Sequence, residues 1–505
     1  MFKPSQQQAA FLNWVANGTG SCVLEAVAGA GKTTTLIEAV DLAKGSVALL
    51  AYNRKIADEI KGKLQKRGID WKKANAGTVH SFGLSAFKKT FPNFEVNERK
   101  VANIIAQKAK LAASDHALKV FDTLICDLVS LAKQRALGVF GAIDDVSQWY
   151  KIIEHFDLLG NEDDEADRRV SEIVAEAILA LKESNNQTSV IDYDDMVYLP
   201  VYLKLRFWTY PWVFIDEAQD TNPARRALVK AILAPGGRVV AVGDRRQAVY
   251  GFTGADADSL DLIKKDFNAQ ELPLTVTYRC PKSVVEHARQ WVDHIQAHES
   301  APEGSVSSIE FKDLFDRNDL THGTAILCRN TKPLVSLAFQ MIRKGIPCRV
   351  EGRDIGKGLI KLATKWKRVT TLHGLEEQLQ KWGSAQIVHA KAKNNAALAQ
   401  SIDDQVKTMF VITSKCRADG RHGINSVVEN ITKLFEDNVN RTLVLSTIHK
   451  SKGREWDTVY WLDRRNTLPS PFARQDWQVE QEDNLCYVAA TRAKDSLIEV
   501  ICPVD

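Results

Sequence analysis

Residues 21–33 limit what this chain can fold into more than any other segment. The short apolar run Ser21-Cys22-Val23-Leu24-Glu25 leads into Ala26-Val27-Ala28-Gly29-Ala30-Gly31-Lys32-Thr33, and helical sequence follows from Lys32. A glycine-rich turn between a strand and a helix aims backbone N–H groups and the positive end of the helix at one point. That is how a phosphate-binding loop is built. Lys32 is then the side chain that reaches terminal phosphates, and the Thr33 hydroxyl suits Mg2+. The expected nucleotide-binding set is Ala28, Gly29, Ala30, Gly31, Lys32, Thr33 and Thr34. Ala26 stands where the pattern has its first glycine, which weakens the bare motif.

Two further segments extend this chemistry. Val213-Phe214-Ile215-Asp216-Glu217-Ala218-Gln219-Asp220 reads as a buried strand ending in carboxylates. Asp216 is expected to hold Mg2+ through water, and Glu217 to polarise an attacking water. The segment Val242-Gly243-Asp244-Arg245-Arg246-Gln247-Ala248-Val249-Tyr250-Gly251-Phe252 follows another strand. The Gln247 amide suits a γ-phosphate or the attacking water. Tyr250 and Phe252, two residues apart, suit stacking on bases, although either ring alone would serve equally well as core.

A chain of 505 residues predicts about three to five structural units. With 45% hydrophobic and 26% charged residues it reads as globular, which excludes a disordered, collagen-like or purely coiled-coil chain. No apolar run approaches the ~18–20 residues that cross a bilayer, so no membrane partner is expected. The opening MFKPSQQQAAFLNWV lacks a basic stretch followed by an apolar one, so no secretory leader is expected. The eight cysteines form no CxxC pair and read as reduced thiols of a cytoplasmic protein, with no zinc site. The net charge of +4 is uneven: residues 91–190 carry 11 basic and 17 acidic side chains, and residues 356–439 carry 13 and 8. That asymmetry fits a polyanion touching part of the chain as well as it fits solvated helix faces.

Strand-like runs at 21–25, 47–52, 212–215, 238–242, 325–327, 442–445 and 459–462 alternate with helical sequence. This rhythm predicts parallel α/β sheets. Residues 97–185 show helical periodicity without a strand, with 161–167 as a solvated loop; residues 356–439 also break the rhythm. The expected fold class is therefore α/β, with two P-loop-type cores built on parallel sheets. The first core comprises 1–90 and 191–280 and carries a helical insert, 91–190. The second comprises 281–355 and 440–505 and carries a small basic insert, 356–439.

Nine blocks in order carry a family resemblance: Gln7, AVAGAGKT, LLAYNRKIADE, TVHSF, FIDEAQD, GDRRQAVYGF, VTYRCP, STIHKSKGREW and EDNLCYVAATRAK. Together they resemble the superfamily 1A helicases of the UvrD/Rep/PcrA group, in a compact form. The resemblance implies two RecA-like cores with ATP in the cleft between them, Mg2+ as cofactor, and 3′→5′ movement on single-stranded DNA with separation of duplex at single-strand/duplex junctions. It also implies a monomer acting with replication or repair partner proteins.

At matching positions, Gln7 (with Gln8 as the alternative) corresponds to the adenine-reading glutamine and Tyr278 to the ring that stacks on adenine. Glu455 corresponds to the ribose contact, and Arg279 and Arg492 to the arginines on the γ-phosphate. The implied catalytic set is Lys32, Glu217, Gln247, Arg279 and Arg492. Tyr52, Asn53, His80, Tyr250, Phe252 and His449 resemble strand-contacting positions. Two departures stand out: Arg245-Arg246 where many relatives carry acids, placing two added cations near nucleotide or DNA, and Phe252 where many carry Trp. Other readings of the same loop are a P-loop ATPase switch without unwinding and a translocase that strips proteins but unwinds poorly.

Overall fold

The computed structural model describes residues 3–111, 120–156, 158, 169–251, 254, 258–344, 346–392, 396–435, 443–471, 473 and 475–503. The acidic stretch 161–167 and Phe252 lie outside the described residues. The chain forms two compact units, Met1–Val27 with Gly31–Leu274 and Ala28–Ala30 with Thr275–Asp505.

The first unit is built on β1 (Cys22–Ala26), β2 (Val47–Ala51), β3 (Ala74–Thr78), the short parallel pair β4 (Glu95–Val96) and β5 (Val190–Ile191), then β6 (Tyr210–Ile215), β7 (Leu233–Gly243) and β8 (Gln270–Leu274). Six of these make one parallel sheet in the order β3-β2-β6-β7-β1-β8. Strands covered on both faces need apolar side chains throughout, and the central β2, Val-Ala-Leu-Leu-Ala, is buried at every position. The edge strands are different. β3 is Ala-Asn-Ala-Gly-Thr and β8 is Gln-Glu-Leu-Pro-Leu. An edge has only one neighbour and tolerates polar residues and Pro, so neither strand produced an apolar run that pattern reading could detect.

Between β4 and β5 the described chain is helical: Lys100–Leu111, Asp122–Gln134, Val146–Phe156 and Val170–Asn186. These helices bury Phe121, Ile125, Leu128, Trp149, Ile173 and Leu181 in a core separate from that of the sheet. A buried ionic cluster ties them to the segment after β5. The Lys100 ammonium meets Asp195 at 2.7 Å, and the Lys133 ammonium meets Asp192 at 2.5 Å and Asp195 at 2.7 Å. Lys100 also donates to the carbonyls of Ser184 (2.8 Å) and Gln187 (3.0 Å). A cluster this dry persists only if every charge is matched, so losing one member would leave another uncompensated.

The second unit opens with a short pair, β9 (Val276–Thr277) and β10 (Gln296–Ala297). It continues with β11 (Ser305–Glu310), β12 (Thr324–Cys328), β13 (Cys348–Val350), β14 (Leu443–Thr447), β15 (Trp456–Leu462) and β16 (Ala493–Ile501). The second parallel sheet has the order β11-β16-β15-β12-β14-β13. Residues 356–439, expected as a small basic insert, are mostly helical where described: Arg353–Ala363, Leu372–Ala392, Ala396–Ala418 and Ile424–Leu434. Leu375, Met409, Ile412 and Ile431 share one hydrophobic core with Ile326, Leu445 and Tyr460 of the sheet. No helix among the described residues is long and apolar enough to cross a membrane. The fold is α/β, with two six-stranded parallel sheets of RecA type.

Candidate functional site

In parallel sheets, loops that follow strand ends gather functional groups at one edge. In the first unit the ends of β1, β2, β3, β6 and β7 deliver Gly31 with Lys32 and Thr33, Asn53, His80, Asp216 with Glu217, and Asp244 with Gln247 to that edge. Ala26 ends β1 paired with Leu274, in strand backbone that any residue adopts, so a first glycine is not required. Gly31 has φ +76° as N-cap of the helix Lys32–Leu42, a conformation that suits glycine.

Lys32 is buried at 9% exposure and makes no hydrogen bond or ion pair among the described residues. Thr33 follows on the first turn, and its hydroxyl donates to Asp216 Oδ2 at 2.8 Å. The adjoining hydroxyl and carboxylate are hard oxygen donors, which fits Mg2+. Burial, reinforced by the neighbouring Glu217, raises the Asp216 carboxyl to about 6.

Glu217 sits at φ +52°, a left-handed conformation rare for a side-chain-bearing residue. The Gln219 amide donates to Glu217 Oε2 at 2.5 Å. The same amide's oxygen accepts from the Asp244 N–H at 3.1 Å, and Gln247 donates to Asp244 Oδ2 at 2.6 Å. A continuous chain Glu217–Gln219–Asp244–Gln247 thus joins the acids after β6 to the amide after β7. A Cβ on Gly243 would fall 2.6 Å from the Gln219 oxygen, so this relay needs glycine there. Sequence reasoning missed Gln219; the signal was a buried polar residue two positions after Glu217.

Gln8 is brought to the loop's helix. Gln8 is buried, its Oε1 accepts from Ser5 N–H (2.9 Å) and its Nε2 donates to Thr35 Oγ1 (3.1 Å). The Ser5-x-x-Gln8 spacing is a capping box legible in the sequence. Gln7 is half-buried on the neighbouring helix face.

Arg245 departs from expectation. Its guanidinium is paired with Glu25, with Asp261 at 2.7 Å and with Glu271 at 3.5 Å, so its charge is spent on internal carboxylates and it is not an added cation for a ligand.

Beside the relay, Tyr52 and Tyr250 stack at 5.5 Å with planes 9° apart. The Arg225 guanidinium lies 5.2 Å from the centre of the Tyr52 ring. Tyr52, His80, Gln134, Asp194, Asn222 and Arg225 line a cavity of about 170 Å3. Asn53 caps the helix Arg54–Lys66, accepting from Ile56 N–H at 2.9 Å. Arg225, Gln134 and Asp194 were not singled out in the sequence.

Burial and the nearby Arg225 charge lower the His80 imidazole to about 4, so it is neutral at physiological pH. Against an ordinary value of about 6.5 in the unfolded chain, this lowered value contributes stability that is present above pH ~6.5 and lost as pH falls towards about 4. The expected result is an NMR titration of His80 with no inflection between pH ~5.5 and 8, and a melting advantage over His80→Gln that shrinks on acidification.

In the second unit, Arg279 Nε donates to Glu455 Oε2 at 2.6 Å, joining two of the predicted positions. Tyr278 is exposed and lies 4.8 Å from the His298 ring. Arg492 is 1% exposed and donates to the carbonyls of Val488 (2.9 Å) and Arg454 (3.2 Å). Burial and the Arg329 charge lower His449 to about 3.

The family model described as the UvrD/REP helicase N-terminal domain matches residues 4–268, just over half of the chain. The UvrD-like helicase C-terminal domain matches 360–502. Among curated proteins, the chain is similar to the ATP-dependent DNA helicase Rep of Escherichia coli strain K12, 26% identical over 317 residues, covering 56% of this chain and 42% of that protein. It is also similar to Rep of Buchnera aphidicola subsp. Schizaphis graminum (24% over 299 residues; 54% and 42%) and to the DNA helicase PcrA of Staphylococcus epidermidis (22% over 292 residues; 54% and 38%). The match spans about two fifths of the length of each relative.

Proposed function

The chain belongs to the UvrD/Rep helicase family, and from that premise we propose that it is an ATP-dependent DNA helicase that moves 3′→5′ on single-stranded DNA and separates duplex at junctions. The observation that carries the nucleotide half of this reading is Lys32, a buried ammonium that makes no hydrogen bond or ion pair among the described residues. A buried cation is costly unless an anion meets it, and the surrounding loop aims backbone donors at the same place.

On this reading Lys32 and the backbone of 28–34 hold the phosphates, with Thr33 and Asp216 as the Mg2+ donors. Bound there, Mg2+ would supply neutralisation of phosphate oxygens. Glu217, held by Gln219, orients the attacking water and accepts its proton. Gln247 registers the γ-phosphate and shares Asp244 with the relay, so a change at the phosphate reaches Tyr250 through three residues of chain. Arg279 and Arg492 take the family's roles as cations acting on transition-state charge. Tyr278 and Glu455 take adenine and ribose, with Gln7 or Gln8 as the base reader, and the bond from Gln8 to Thr35 on the loop's helix supports Gln8. Tyr52, Tyr250 and Arg225, with His80, Asn53 and His449, make the strand contacts, and Phe252 belongs with them by family position. The same premise assigns 1–90 with 191–280 and 281–355 with 440–505 as the two cores, and 91–190 and 356–439 as their inserts.

The deciding experiment is strand displacement on duplexes with 3′ or 5′ single-stranded tails, alongside ATPase activity with and without single-stranded DNA. Expected are unwinding of the 3′-tailed substrate and a large stimulation by DNA. Stimulated ATPase without displacement on either tail would leave a translocase, and no stimulation at all would reduce the protein to an ATPase switch.

Arg225 offers a narrower check. Arg225→Ala removes the cation over Tyr52, and a loss of single-stranded DNA affinity equivalent to ~0.5–2 kcal/mol is expected, with basal ATPase unchanged. Fluorescence anisotropy against oligothymidylate measures it.

A further inference from the structure

At the opposite end of the first sheet, where β3 and β6 begin, lies a groove of about 720 Å3 that plays no part in the reading above. Its size is within the ~300–1,000 Å3 typical of ligand pockets. Lys61, Lys89, Arg206 and Trp208 line it, and no carboxylate does. Lys89 and Arg206 make no ion pair among the described residues, and Lys61 meets only the exposed Asp58 at 3.7 Å. Trp208 is 75% exposed, an unusual position for the largest apolar side chain. Trp71, which precedes β3 and so lies at this same end, is 71% exposed. On the floor, Asn75 Nδ2 donates to the Tyr210 hydroxyl at 2.8 Å, leaving the Asn75 oxygen and the Tyr210 proton available.

We propose that this groove is a second binding site for single-stranded nucleic acid, remote from the Tyr52–Tyr250 stack. Unpaired cations beside an open indole are the two components such a site needs: phosphate neutralisation and a face for a base. Asn75 and Tyr210 add hydrogen-bonding groups for a base edge. An acidic peptide would use the cations but has no need of an exposed indole flanked by them, and the choice of nucleic acid rests on the helicase reading. A strand held here as well as at the catalytic end would be gripped at both ends of the first unit.

The test compares the wild-type chain with the triple variant Lys89→Ala, Arg206→Ala, Trp208→Ala, using short and long oligothymidylate. All three side chains are exposed, so an unchanged melting temperature is expected. Long oligothymidylate should bind about tenfold more weakly to the variant, with a salt slope shallower by about 1.4 for two lost phosphate contacts. Short oligothymidylate affinity and DNA-saturated ATPase turnover should be unchanged. Equal affinity and equal salt slope for the long strand in both proteins would overturn the proposal. So would binding of an oligoglutamate peptide that the triple variant loses while its DNA affinity stays intact. Failure of the wild type to bind even the short strand would count against the helicase reading, not against the groove alone.

Discussion

Glu217→Gln is expected to lower ATP turnover by ~10²–10⁴-fold while nucleotide affinity stays near normal. The variant amide is nearly isosteric, and its oxygen can still accept from Gln219, which now donates to Glu217 at 2.5 Å. What disappears is the ability to accept a proton from the attacking water. The left-handed backbone at Glu217 is kept, so a folding defect is not expected. Steady-state ATPase together with binding of a fluorescent ATP analogue separates the two effects. A variant that retains more than about a tenth of wild-type turnover, far above what loss of a general base leaves, would remove Glu217 from the chemistry and leave the relay as architecture.

Lys32→Ala should abolish hydrolysis and leave the melting temperature equal to or above that of the wild type. The two parts have one cause. Lys32 is buried and makes no hydrogen bond or ion pair among the described residues, so its ammonium carries a desolvation cost that the alanine variant avoids. Its charge also lowers the Asp216 and Asp244 carboxyls, and without it both would hold their protons more tightly. The proposed phosphate contact and the ionised state of Asp216, the carboxylate proposed for Mg2+, would be lost together. Circular dichroism, thermal melting and ATPase on one preparation check both halves. Near-normal turnover would undo the nucleotide assignment, and a large fall in melting temperature would show that Lys32 has a structural role.

Much of this is legible in the amino-acid sequence, and the reason is local. The apolar strands at the sheet centres, the loop that follows β1 and the acids that follow β6 are contiguous in the chain. Backbone direction alone places them at one sheet edge. The helical character of the described parts of 100–186 followed from periodicity, because amphipathic helices write their buried face every three to four residues. The edge strands β3, β8, β11 and β13 wrote no such record, since a strand with one neighbour needs few apolar side chains.

The fold class, the order of the motifs and the place of the glycine-rich loop are written in the chain, because each depends on residues adjacent in it. Which polar groups meet was set by packing. Gln219 links Glu217 to Asp244, and Arg225 covers Tyr52 from 173 positions away. Arg245 is spent on Glu25, Asp261 and Glu271, although its position beside Gln247 suggested a free cation. Lys100 and Lys133 are buried against Asp192 and Asp195, although each looks like an ordinary surface lysine in its own helix. A charge is neutralised by whatever is nearest in space. Packing of distant segments sets that distance, and the spacing of residues along the chain does not record it.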